Sequence, residues 1–106
     1  MGKLEDSDIL TLSNKQQKIV SLMLSKNLYL VTTEGEKVSC WLECHDGHRF
    51  MNLRKDTANI LFTKKVIEYD NALSNLKSRG RTYYYILSTD FLAKIEILRA
   101  RKRIHW

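Results

Sequence analysis

Four side chains able to ligate a soft metal fall within nine residues of this chain: Cys40, Cys44, His45 and His48. Thiolate and imidazole are the donors zinc prefers. Familiar zinc spacings, however, use two separated pairs of ligands, whereas these four come from one strand and the turn after it and converge poorly on a tetrahedron. Cys40 and Cys44 also fit as small buried residues beside Val38 and Leu42, and no metal is expected. A Cys–His pair can serve as nucleophile and base, but nothing supplies an orienting third group. The chain has no glycine-rich phosphate loop, nucleophile elbow or metalloprotease motif. Neither an enzyme nor a cofactor is expected.

The second chemistry on offer is cationic. The formal net charge is +6. Residues 1–76 carry ten Lys/Arg against ten Asp/Glu, whereas residues 77–106 carry eight Lys/Arg against Asp90 and Glu96. Lys77, Arg79 and Arg81 form one cluster, and Arg99, Arg101, Lys102 and Arg103 form another. One-sided charge suggests a polyanionic partner, either nucleic acid or an acidic protein surface. A charge run can also be only a solvated face, and cations at a helix C-terminus are favourable in themselves. Four exceed what that role needs.

The elements that must position these groups are readable from pattern. At 106 residues the chain is expected to form a single domain, 1–106. Its apolar fraction of 43% excludes wholesale disorder. No apolar run approaches the roughly 20 residues of a membrane span, and residues 1–12 lack a signal-peptide pattern, so a cytoplasmic location is expected. Cys40 and Cys44 on one strand would lie about 13 Å apart, too far for a disulfide.

Residues 1–11 are acidic and unpatterned and are expected to fray. Ser13-Asn14-Lys15-Gln16 is a capping box, and Ile19, Leu22 and Met23 continue it as a helix to about Asn27. Strands follow at 28–33 and 37–44 about the Glu34-Gly35-Glu36 turn, with Cys40, Leu42 and Cys44 on one face and Trp41 and Glu43 on the other. "HDGH" turns the chain, 49–52 leads into a helix over 53–64 capped by Asn52 or Lys55-Asp56, and 66–69 is a strand. A basic loop over 70–80 joins it to a strand at 81–87, where Tyr83 and Tyr85 share a face opposite Tyr84. Ser88 or Thr89 caps a last helix, on which Phe91, Leu92, Ile95 and Leu98 recur at helical spacing. The terminal Trp106 is expected to fray.

The stretches "LSNKQQKIVSLML", "NLRKDTANILFTKKVIE" and "RTYYYIL" together resemble small winged-helix proteins of bacteriophages and mobile elements. With its opening "LS..Q", cysteine-bearing hairpin and "KK.I" exit, the chain is also similar to the short bacterial YjhX-type family of proposed toxins. The resemblance covers roughly residues 12–88. It departs from the winged-helix pattern where Lys65 replaces the usual glycine at the helix exit, and where the 28–44 hairpin replaces a second helix. The fold it implies is α+β and winged-helix-like: helix, hairpin, helix, a second hairpin as the wing, and a basic C-terminal helix over 89–106.

The expected function is that of a small DNA-binding protein, a regulator from a phage or mobile element. Arg54, Lys55, Asn59 and Thr63 of the 53–64 helix would enter the groove of double-stranded DNA. Lys77, Arg79 and Arg81 would grip backbone from the wing, and Arg99, Arg101, Lys102 and Arg103 would add phosphate attraction. "ANILF" holds more apolar residues than one buried face needs. The rival reading is therefore an inhibitor or toxin that blocks a host nucleic-acid enzyme, with Ile60, Phe62 and the tyrosines as its hot spot. A homodimer on the Phe91, Ile95 and Leu98 face is compatible with either.

Overall fold

A computed structural model describes residues 4–34, 39–77 and 82–106. Its first element departs from expectation. The segment expected to fray forms α1 (Asp6–Leu10), where Glu5 N–H donates to the Asp8 carboxylate at 2.8 Å. The anchor is apolar: Leu4, Ile9 and Leu12 are all buried. Lys94 of the last helix also donates to Asp6 at 3.0 Å. Three buried aliphatic side chains outweigh weak local patterning.

The reciprocal cap forms as read from the sequence. Ser13 Oγ accepts Gln16 N–H and the Gln16 side-chain oxygen accepts Ser13 N–H, opening α2 (Asn14–Lys26). Strands β1 (Tyr29–Thr33), β2 (Cys40–Glu43) and β3 (Arg49–Leu53) then run as a meander. β3 occupies what was expected to be only a lead-in. It pairs Asn52 with Trp41 and Leu53 with Cys40, and a bulge lies between Leu42 and Glu43.

Helix α3 (Lys55–Thr63) carries the chain to the opposite edge of the sheet, where β4 (Ile67–Tyr69) begins. Its N-cap is Arg54, without a side-chain cap hydrogen bond, rather than Asn52 or Lys55-Asp56. The segment expected to be a basic loop instead forms α4 (Asn71–Lys77), so a helix, not a simple wing tip, links the last two strands. Asp70 Oδ1 accepts Leu73 N–H at 2.8 Å, and Ser74 Oγ accepts the Tyr84 N–H at 3.0 Å. Polar residues that read as loop are here the ones that start the helix and tie it to the sheet. Strand β5 (Thr82–Leu87) and α5 (Thr89–Ala100), capped by Ser88, complete the chain.

All neighbouring strands are antiparallel, in the order β3-β2-β1-β5-β4. The α+β class therefore holds, with both expected hairpins merged into one five-stranded sheet. Period-two alternation gives the sheet two different faces. Leu30, Cys40, Leu42 and Ile67 face a core built with Ile19, Val20 and Met23 of α2, Ala58 and Leu61 of α3, and Phe91, Ile95 and Leu98 of α5. On the other face Val31, Trp41 and Tyr84 form a smaller cluster joined by Leu73 of α4.

Three helices end alike. Asn27, Lys65 and Lys102 have φ of 57°, 66° and 55°. Just beyond each, Leu28, Val66 and Arg103 donate back to the carbonyls of Met23, Leu61 and Leu98. The last turn brings Ile104 into the core and sets Trp106 against Phe91, ring centroids 6.5 Å apart. Trp106 is thus packed, not frayed. No described helix is long and apolar enough to cross a membrane.

Candidate nucleic-acid interface

Helix α3 divides cleanly by burial. Thr57, Ala58 and Leu61 face the sheet. Lys55, Asn59 and Thr63, four residues apart in sequence, form an exposed stripe, of which Lys55 and Asn59 also border the sheet. Arg54 stands at the N-terminal end of this stripe, 3.9 Å from Asp56, in an ion pair left open to solvent. Phe62 and Ile60 flank the stripe, 51% and 38% exposed. All six of the helix residues singled out from the sequence therefore lie on the accessible side. At the C-terminal end Lys64 Nζ donates to Thr11 Oγ1 at 3.0 Å, which ties α3 to α1.

Beside Phe62 the sheet adds aromatic surface. Phe62 stands edge-on to Tyr85 at 5.6 Å, Tyr85 lies 5.8 Å from Tyr69, and Tyr69 lies 6.0 Å from Tyr83. Tyr69 is 42% exposed. Sequence pattern singled out the tyrosines of β5 but not Tyr69, whose place follows from the β4–β5 register that sets it opposite Tyr85.

Between α3 and the sheet a cleft of about 280 Å³ opens. Leu30, Cys40, Ala58 and Ile67 contribute apolar surface to it, and Thr32, Thr33, Glu34, Lys55 and Asn59 contribute polar groups. Burial pushes the Cys40 thiol above its ordinary range, and the charge of Lys55 opposes that shift without cancelling it. The cleft residues outside α3 come from separated strands, and no local spacing announces them.

The other candidate residues divide among separate places. Arg101, Lys102 and Arg103 are exposed beyond α5, and Arg99 Nε donates to the Trp106 carbonyl at 2.9 Å. Asp6 is held below the usual carboxylate range, first by the Lys94 hydrogen bond and charge and less by Arg103 and Arg101. The acidic helix α1 touches both Lys64 and Lys94 and so adjoins both α3 and α5. Arg79 and Arg81 lie outside the described residues, as does the side chain of Lys77.

One grouping expected from the sequence does not arise. Phe91, Ile95 and Leu98 are buried in the protein's own core, so they offer no face for a homodimer. A 3–4 spacing marks a buried face but does not say whether it is buried within the chain or between chains. Nor do the four candidate zinc ligands converge. Cys40 is in the core, the ring of His45 stacks on Tyr29 at 4.4 Å, and exposed His48 lies 3.1 Å from Asp46. Among the described residues no three His, Cys, Asp or Glu side chains are grouped to hold a metal ion.

Compared with family models, curated proteins and solved structures, the chain finds no match in any of the three.

Proposed function

We propose that the chain binds DNA through the outer side of α3, as a small regulator would. The observation that supports this most is the exposed stripe Lys55, Asn59 and Thr63, with Arg54 at its N-terminal end. An asparagine amide matches the adenine edge bidentately, and Lys or Arg meets guanine or phosphate. The N-terminal residues of a groove helix are the ones that reach base edges. Arg101, Lys102 and Arg103 add attraction that any sequence would feel. In the winged-helix reading α3 is the groove helix, β4 and β5 form the hairpin after it, and α4 stands where a wing tip would be.

Fluorescence anisotropy of a labelled random-sequence duplex, titrated at several salt concentrations, tests the proposal. Binding should weaken steeply with salt, by about 0.9 in the log–log slope for each phosphate neutralised. No binding at low salt, by duplex or single strand, overturns it. Exposed Ile60 and Phe62 support a second reading, an inhibitor that docks on a nucleic-acid enzyme. In that case Phe62→Ala abolishes capture of the enzyme while duplex binding is absent throughout.

A further inference from the structure

We infer that the cleft between α3 and the sheet holds one unstacked nucleobase, so that this face takes an unpaired strand. The inference rests on the reading of the chain as a nucleic-acid-binding protein and names the form of nucleic acid. Three observations carry it.

The first is size and lining. About 280 Å³ is at or below the lower end for sites that enclose drug-sized ligands, and it suits a single planar ring system. Its accessible apolar surface comes chiefly from Phe62 and Tyr85, over a floor of buried Leu30, Ala58 and Ile67, and would cover the faces of a base. Asn59 and Thr32 bring an amide and a hydroxyl to the same space, donors and acceptors suited to a base edge.

The second is the aromatic row that leads away from the cleft. Phe62, Tyr85, Tyr69 and Tyr83 follow one another at 5.6 to 6.0 Å, and their planes are inclined at 78°, 68° and 56°. Neither the Phe62–Tyr85 pair nor the Tyr85–Tyr69 pair is stacked face to face, so these three rings do not spend their faces on one another. Protein surfaces that bind single strands combine such rings with cations that follow the backbone.

The third is charge. Lys55 lines the cleft itself, and Arg54 precedes it, so a phosphate attached to the held base would meet cations at the N-terminal end of α3. Glu34 also lines the cleft and, among the described residues, is the one carboxylate there. It favours a neutral base over an anionic ring inside the cleft and leaves the phosphate outside, toward Lys55. A duplex offers no base free to enter, because its bases are stacked and paired.

A thymidine decamer carrying one 2-aminopurine, and the same decamer annealed to its complement, make the test. The wild-type protein should bind the single strand more tightly than the duplex, with a change in 2-aminopurine emission on binding. Phe62→Ala should weaken single-strand binding roughly 5- to 100-fold, the effect of losing one base–aromatic stack, and abolish the emission change. Asn59→Ala should shift preference among oligonucleotides that differ only in the base at the probe position. Because Phe62 and Asn59 are exposed, an unchanged thermal transition in each variant separates loss of the site from loss of the fold. If the duplex binds as well or better, and Phe62→Ala leaves single-strand affinity and emission unchanged, the inference fails while the nucleic-acid reading stands. If neither form binds at low salt, both fail together.

Discussion

Trp41 Nε1 donates to Glu43 Oε1 at 3.2 Å, two residues along one strand, and both side chains are buried. The tryptophan ring is covered by Arg49, whose guanidinium carbon is 3.9 Å from the ring centroid. Tyr84 is hydrogen-bonded to the same carboxyl group from β5. Glu43, only 6% exposed, is therefore the polar hub of the sheet face away from the main core. Glu43→Ala leaves the Trp41 indole N–H without its acceptor, and should cost about 1–3 kcal/mol in a urea unfolding experiment. Glu43→Gln, which keeps an acceptor, should cost less.

The same hub sets an alkaline limit on stability. Burial first, then the hydrogen bond to Glu43 and its charge, push the Tyr84 phenol up to about 12. The unfolded phenol ionises near 10. Below pH 10 both states hold the proton and stability is unaffected by this group. Between about pH 10 and 12 the unfolded chain releases the proton first, so stability should fall as pH rises through that window. Phenolate absorbance in an alkaline titration should show a late ionisation from Tyr84, and an earlier one in Glu43→Gln.

Lys65 has φ of 66°, a left-handed conformation in which an L side chain crowds the backbone. Its carbonyl accepts from Ser88 Oγ at 2.7 Å, which holds the turn between α3 and β4 in place. Lys65→Gly removes the crowding and should raise stability by about 1 kcal/mol, visible as a higher melting temperature. Lys65→Ala keeps the Cβ and should bring no such gain. Asn27→Gly should change little, because asparagine tolerates the conformation.

Ile9 of α1 and Ile104 beyond α5 both belong to the core. Ile9→Ala and Ile104→Ala should each cost about 2–5 kcal/mol, the range for truncating a buried aliphatic side chain. Either cost would be absent if these segments frayed, so denaturant midpoints decide the matter.

For binding, Arg101, Lys102 and Arg103 changed together to alanine should reduce the salt slope by up to about 2.7, if each neutralises one phosphate. Their sequence preference should not change. Asn59→Ala should do the reverse, altering preference while leaving the slope as it was.

Much of the framework was legible locally because its causes are local. Ser13 and Gln16 are three residues apart and cap each other, so the start of α2 needs no partner. Alternation placed Trp41 and Glu43 opposite Cys40 and Leu42, and the helical spacing of Phe91, Ile95 and Leu98 marked a face that is indeed buried. Lys65 stood out as the wrong residue for a helix exit, and it does adopt positive φ.

What the tertiary structure decided depends on residues far apart in the chain. Nothing near Leu4, Ile9 and Leu12 says that Lys94 and Lys64 will hold α1 at its two ends. The polar stretch at 70–77 is helical because Asp70 caps it and Ser74 reaches the backbone of β5. The faces of α3 follow from its own periodicity. The cleft beside it exists because α3 leaves the edge of β3 and crosses to β4, over strands whose order and register no single segment contains. Local patterning determined which residues of this protein are helical, extended or apolar. Only long-range packing decided which of them meet around one cavity, because burial free energy depends on every side chain that excludes water from the same space.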